Sequence, residues 1–149
     1  MNWKGHVTVA CVVEREGRFL LVEERAADGS LVLNQPAGHW DENETLLQAA
    51  MRETLEESAW EVEPTAVVGL YDYQPAHLEH GFLRVAFAAR PLRHHAQRAL
   101  DPDIERTVWL GRDELAACAD RHRSPMVLRG VDDYLAGRRL PLDLIAVLR

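Results

Sequence analysis

The stretch Leu33–Trp60, LNQPAGHWDENETLLQAAMRETLEESAW, carries three glutamates, Glu53, Glu56 and Glu57, within five residues. From Thr45 onward its Ala, Leu, Met, Gln and Glu residues predict a helix, with Asn43 or Glu44 serving the free amides of the first turn. At about 100° per residue, Glu56 and Glu57 fall about 60° and 40° to either side of Glu53, so the carboxylates share one stripe. Leu46, Ala50 and Thr54, or Leu47 and Leu55, then pack toward the body. Like charges at these spacings oppose a helix by roughly 0.2–0.5 kcal/mol per pair, so the stripe asks for a counter-charge. Bulk water with Arg52 nearby is the ordinary answer for an acidic face. The sharper one is a hard divalent cation: Mg²⁺ takes oxygen ligands from a few carboxylates and leaves its other positions to water and substrate phosphates. The preceding loop favours the cation, because Pro36 and Gly38 in QPAGHWDENE allow a turn that folds a carbonyl near Ala37 or Gly38 toward the carboxylates.

Outward from this stretch the chain alternates strands and helices. HVTVACVVE and RFLLVEE flank the polar REG and predict a β-hairpin. Leu31–Leu33, Val67–Tyr73, Phe82–Arg90 and Arg106–Leu110 each read as strands bounded by Pro, Gly or charge. RDELAACAD predicts a short helix, and SPMVLRGVDDYLAG a longer one, capped by Ser124, with Pro125 in the first turn and a stop at Gly137. Strands, helix, strands and then helices argue for an α/β sandwich around a mixed sheet.

At 149 residues and 47% apolar content the chain fits one domain, residues 1–149, with one core. A formal charge of −7 opposes nucleic acid and anionic membrane as partners, so a phosphate-bearing ligand needs a cation. The apolar run Val7–Val13 is broken by Thr8 and followed by Glu14, which predicts neither signal peptide nor membrane span and hence a cytoplasmic setting. Cys11 and Cys118 lack CxxC or Cys/His spacing and read as reduced packing residues. None of the seven histidines shows metal-ligand spacing.

The stretch resembles the Nudix box, G-x5-E-x7-R-E-U-x-E-E-x-G-U with U a bulky apolar residue, laid over Gly38, Glu44, Arg52, Glu53, Thr54, Glu56, Glu57, Ala59 and Trp60. Every charged position matches. Ala59 replaces the glycine at the helix end, where a left-handed cap costs a residue with a Cβ about 1 kcal/mol or more, so the helix could end differently here. Thr54 is a weak choice at the apolar position. The resemblance implies a Nudix-type α/β/α sandwich with a mixed β-sheet and a catalytic loop-helix-loop, hydrolysing a diphosphate linked to another group. It implies Glu53, Glu56 and Glu57, with the Ala37 carbonyl, as ligands of Mg²⁺, or of Mn²⁺ in its place. Arg52 would orient these carboxylates, and Glu44 would support the loop or a water-mediated ligand. Glu53 leads as general base, followed by Asp103, six residues before Trp109, and then Glu105. Asp101, Asp103 and Glu105 also read as a solvated acidic loop.

HVTVACVV, NQPAGH, FLRVAFA and the segment from Arg123 to Ile145 are similar to one branch of the family. Those phosphatases release inorganic phosphate from nucleoside di- and triphosphates and from thiamine pyrophosphate and its hydroxymethylpyrimidine precursor. An aromatic pyrimidine wants a stacking surface and amide partners. Asn34 and Gln35 offer amides, Arg84 a phosphate contact or a surface ion pair, and Tyr73 a ring, with Trp3, Trp40, Tyr71 and Phe82 as other aromatics. The partner implied is a small-molecule diphosphate or nucleotide, met by a monomer or homodimer. Rival readings are a nucleoside-triphosphate pyrophosphatase, a hydrolase of nucleotide sugars or dinucleoside polyphosphates, and a ligand sensor without catalysis.

Overall fold

A computed structural model describes residues 3–149 and contains seven strands and three α-helices among them. Strands β1 (Lys4–Arg15) and β2 (Arg18–Arg25) form the expected hairpin, pairing Glu14 with Phe19 and Arg15 with Arg18. Its two-residue turn puts Glu16 and Gly17 at φ 53° and 78°, the left-handed pair that matches the twist of the flanking strands. β3 (Leu31–Asn34) and β7 (Ile104–Leu110) flank β2, both antiparallel. On the other side, β1 lies between β4 (Ala37–His39), antiparallel, and β6 (His80–His94), parallel, and β5 (Trp60–Tyr73) pairs antiparallel with β6. The sheet is therefore mixed, as its element order implied.

The two-residue period of β1 divides the core. Val9, Cys11 and Val13 face α1 (Leu46–Ser58) and pack with Ala49, Ala50, Val85 and Phe87. Val12 turns the other way, to Phe19, Leu21, Leu115, Val127 and Val131, beneath α2 (Arg112–Ala117) and α3 (Met126–Leu135). Helices on both faces complete the α/β/α sandwich. Cys11 and Cys118 are free thiols. After α3 the chain returns across α1's side, where Leu142 and Ile145 pack on the first cluster. No described helix is long and apolar enough to cross a membrane.

Several boundaries differ from their sequence expectation. α1 is capped by Thr45, not Asn43 or Glu44: its hydroxyl accepts from Gln48 N–H, and the Gln48 side chain accepts from Thr45 N–H, a reciprocal capping box. α3 starts at Met126 with Pro125 in the cap position, one residue later than expected, although Ser124 Oγ still accepts from Met126 N–H, and Gly137 at φ 88° follows the end. β5 begins at Trp60 and passes through Pro64, with register shifts at Glu61/Val62 and Pro64/Ala66. An irregular ladder tolerates a residue that cannot donate.

Candidate active site

β4 and α1 meet at Gly38. A Cβ built there would lie 2.1 Å from Glu53 Cδ, so only glycine lets the strand approach this carboxylate. Pro36 O accepts from Cys11 N–H and Trp40 N–H donates to Val7 O, so residues 36 and 40 point their backbone groups at β1. Antiparallel alternation then turns those of Ala37 and His39 outward. Accordingly, Ala37 N–H donates to Glu57 Oε1 at 2.9 Å and His39 O accepts from Arg52 at 3.0 Å. The Ala37 carbonyl lies on the same open side.

Arg52 organises the acidic stripe. Its Nε and Nη2 donate to both oxygens of Glu44 at 2.9 and 2.8 Å, and its Nη1 donates to Glu53 at 2.8 Å and Glu56 at 2.9 Å. The Glu44 bidentate pair holds that carboxyl below the usual carboxylate range. One cation does not neutralise the group. Burial, with repulsion from Glu56 and Asp101 adding to it and Arg52 opposing it, raises the Glu53 carboxyl. Burial and the neighbouring Glu56 raise Asp101.

Oxygens of Glu53, Glu56 and Asp101 all lie within 4.8 Å of one another. Asp101 is the residue that sequence reasoning did not rank. It sits at the start of the loop leading into β7, and its N–H donates to Glu56 O at 3.0 Å, which pins that loop to the end of α1. Nothing in its spacing from the helix announces this approach; only the packing of two distant segments does. Asp103, ranked above it as a base, is exposed and outside this cluster, and Glu105 pairs with Arg25. Glu57 lies beside the cluster, 9% exposed, and burial pushes its carboxyl up to about 8, with Glu24, Glu53 and Asp101 adding to the rise.

Of the residues expected to meet substrate, Asn34, Gln35 and Arg84 form a buried polar floor, and Tyr73 is half-buried on β5. Arg84 is buried, not surface-paired: it donates to Gln35 Oε1 and Asn34 Oδ1, both at 3.2 Å, and burial lowers its pKa to about 10. Asn34 also donates to Glu24, which accepts from Arg123 at 2.9 Å, and Gln35 donates to Val127 O. Glu24 and Arg123 thus join a polar floor not foreseen from the sequence. Tyr73 stacks on Phe82, with ring centres 6.4 Å apart. Ala59, at the position of the box glycine, adopts φ 61° and ψ 15°, so the left-handed end is retained with a Cβ in place.

Residues 4–129 match the family model of the NUDIX domain. The chain is 38% identical over 143 residues to the Phosphatase NudJ of Escherichia coli strain K12, spanning 96% of this chain and 92% of that protein. The structure of a NUDIX hydrolase from Nitrosomonas europaea superposes with a TM-score of 0.95 at 38% identity, covering 97% of this chain and 98% of that one. A UDP-X diphosphatase shares the fold alone, with a TM-score of 0.72 at 13% identity over 93% of this chain and 66% of that one.

Proposed function

The chain belongs to the Nudix hydrolase family, and on that premise we propose that it is a Mg²⁺-dependent phosphatase acting on phosphoanhydrides, with Mn²⁺ as an alternative ion. Its substrates in this reading are nucleoside di- and triphosphates and thiamine-type pyrophosphates, from which it releases inorganic phosphate. The observation that carries the reading is the convergence of Glu53, Glu56 and Asp101 within 4.8 Å, at the end of the helix that bears the box. The 38% identity to a phosphatase over nearly the whole chain supports the choice of product.

The donor set fits a hard cation. Carboxylate oxygens are the ligands Mg²⁺ takes, and burial, with repulsion among the carboxylates added to it, raises Glu53 and Asp101, an opposition that a bound cation would relieve. Glu53, Glu56 and Asp101 would hold the ion, with Glu57 and the Ala37 carbonyl beside them. A bound divalent cation would polarise a phosphate oxygen and acidify a water. Arg52 fixes Glu53 through Oε1, and Glu53 would serve as the base that accepts a proton from the attacking water. Glu44 holds Arg52 in place. Arg84 supplies positive charge at the floor, where an acidic protein must receive an anion.

The test is turnover of thiamine pyrophosphate and a nucleotide panel by wild type and Glu53→Gln, with Mg²⁺ or with chelator, assaying phosphate and pyrophosphate separately. Metal-dependent phosphate release that falls by about 10²-fold or more in the variant is expected. Pyrophosphate as the product would replace the phosphatase reading with that of a pyrophosphohydrolase. No turnover under any condition would point to a ligand sensor.

A further inference from the structure

The turn between β4 and α1, residues 41–44, has no regular structure of its own, yet the acidic cluster depends on it. Glu44 holds Arg52 by two charge-assisted hydrogen bonds, and Arg52 holds Glu53 and Glu56. A short set of contacts fixes this turn. Asp41 N–H donates to Glu44 Oε1, Arg52 pairs with Asp41 as well as Glu44, and the Trp40 indole N–H donates to Glu44 O at 2.8 Å. All of these come from within the box itself. Among the described residues, one hydrogen bond reaches the turn from elsewhere: Arg149 Nη2 donates to Glu44 O at 2.7 Å.

Arg149 arrives on a segment that the fold ties down before it. Leu140 exchanges two backbone hydrogen bonds with Val67, both of 2.8 Å, and Leu142 and Ile145 pack on the same core cluster as Leu46 and Leu47 of α1. Past Ile145 the apolar contacts thin out: Val147 is 50% and Leu148 90% exposed. The Arg149 guanidinium then turns back into a cleft lined by Trp40, Asp41, Glu42 and Glu44. A cation among carboxylates ordinarily forms an exposed ion pair, which is worth little and is satisfied in many geometries. Arg149 instead shares a main-chain carbonyl with the Trp40 indole, and two donors on one carbonyl hold the Glu44 peptide in a single orientation.

We infer that Arg149 is a positioning residue for the metal cluster. It locks the Glu44 peptide, so that the Glu44 carboxylate presents Arg52, and Arg52 presents Glu53 and Glu56, in the arrangement a divalent cation requires. The inference rests on the metal-cluster part of the reading above and extends the site to a segment far from the box in sequence. Groups that orient ligands without touching the metal are worth about 10–100-fold in metal affinity or activity. The sign of the effect separates positioning from plain electrostatics. Removing a positive charge from an acidic neighbourhood strengthens cation binding by Coulomb's law, whereas releasing the Glu44 peptide weakens it.

The test is Mn²⁺ binding to the whole metal-free chain, followed by electron paramagnetic resonance of the free ion, a readout that needs no turnover. Arg149→Ala should raise the dissociation constant about tenfold, the low end of what orienting groups are worth. Arg149→Lys, which keeps a donor and the charge, should recover part of that loss, and Leu148→Ala should bind as wild type does. Metal-free melting temperatures should stay within about 2 °C of wild type, as for other surface substitutions. Unchanged or tighter Mn²⁺ binding by Arg149→Ala would overturn the inference, and so would a weakening that Leu148→Ala shares. Anhydride turnover is assayed on the same proteins. Weaker Mn²⁺ binding by Arg149→Ala where wild type cleaves no anhydride would keep the positioning role and overturn the hydrolase reading. Cleavage with the same Mg²⁺ dependence in wild type and Arg149→Ala would overturn the positioning role alone.

Discussion

A single methyl group decides whether the acidic cluster assembles. Alanine at Gly38 would drive its Cβ into the Glu53 carboxylate, and the β1 ladder leaves the strand no room to retreat. Gly38→Ala should therefore fold, keep its circular dichroism, and lose about 10²-fold in kcat, the scale of misplacing a catalytic group by about 1 Å. Ala59 makes the opposite case. At φ 61° its Cβ is strained by about 1 kcal/mol, so Ala59→Gly should raise the melting temperature by about 2–4 °C in calorimetry. Glu57 contributes a pH dependence whose sign follows from its raised pKa. In metal-free protein the folded form keeps a proton that the unfolded chain releases near 4.5, so stability is fullest below 4.5 and is lost as pH climbs toward about 8. The slope approaches about 1.4 kcal/mol per pH unit at most. Urea titrations in chelator at pH 5 and 8 should show this loss, and Glu57→Gln should flatten it while keeping its side-chain oxygen for Ala37 N–H. Spacing put the three box glutamates on one stripe, because helical periodicity is local, while the part of Arg52 came from the resemblance. Asp101, Glu24 and the burial of Arg84 were not legible, since each arises from segments that meet only in the folded chain.

At the scale of elements, α1 was legible because strong helix formers and an acidic stripe agree over its whole length. Its cap was misplaced because Asn43 and Glu44 suit a first turn as well as Thr45 does by residue type. The structure separates them: Asn43 takes φ 65°, outside the helix, and Gln48 completes the reciprocal box with Thr45. Thr45→Ala should cost about 1 kcal/mol in equilibrium unfolding and leave the metal response unchanged, because the cap touches no carboxylate of the cluster. β5 resisted reading for a different reason. Its first half holds Pro64 and three acidic or polar residues facing solvent, so its strand state comes from pairing with β6 and not from its own propensity. β4 is only three residues long and looks like a turn, yet pairing with β1 makes it a strand and orients Ala37 and His39 toward α1. The site thus depends on an element too short to carry a sequence signal.

For the whole molecule, the acidic balance of −7 and the cluster at the end of α1 pose one electrostatic problem. Without a cation, Glu53 and Asp101 are raised toward their protonated forms, which means that folding works against their charge. A cation that binds the folded cluster and not the unfolded chain removes this opposition and stabilises by mass action. At about 100 times its dissociation constant, Mg²⁺ should add about 2.7 kcal/mol. At about 2–4 °C per kcal/mol for a chain of this size, the melting temperature should rise by about 5–10 °C. Glu53→Gln/Glu56→Gln tests the cause. Removing two like charges should leave the metal-free protein at least as stable as wild type, while the response to Mg²⁺ disappears. A melting temperature that rises equally with Mg²⁺ in both proteins would assign the effect to general screening of the acidic surface, since screening by salt acts on every exposed charge and needs no assembled site.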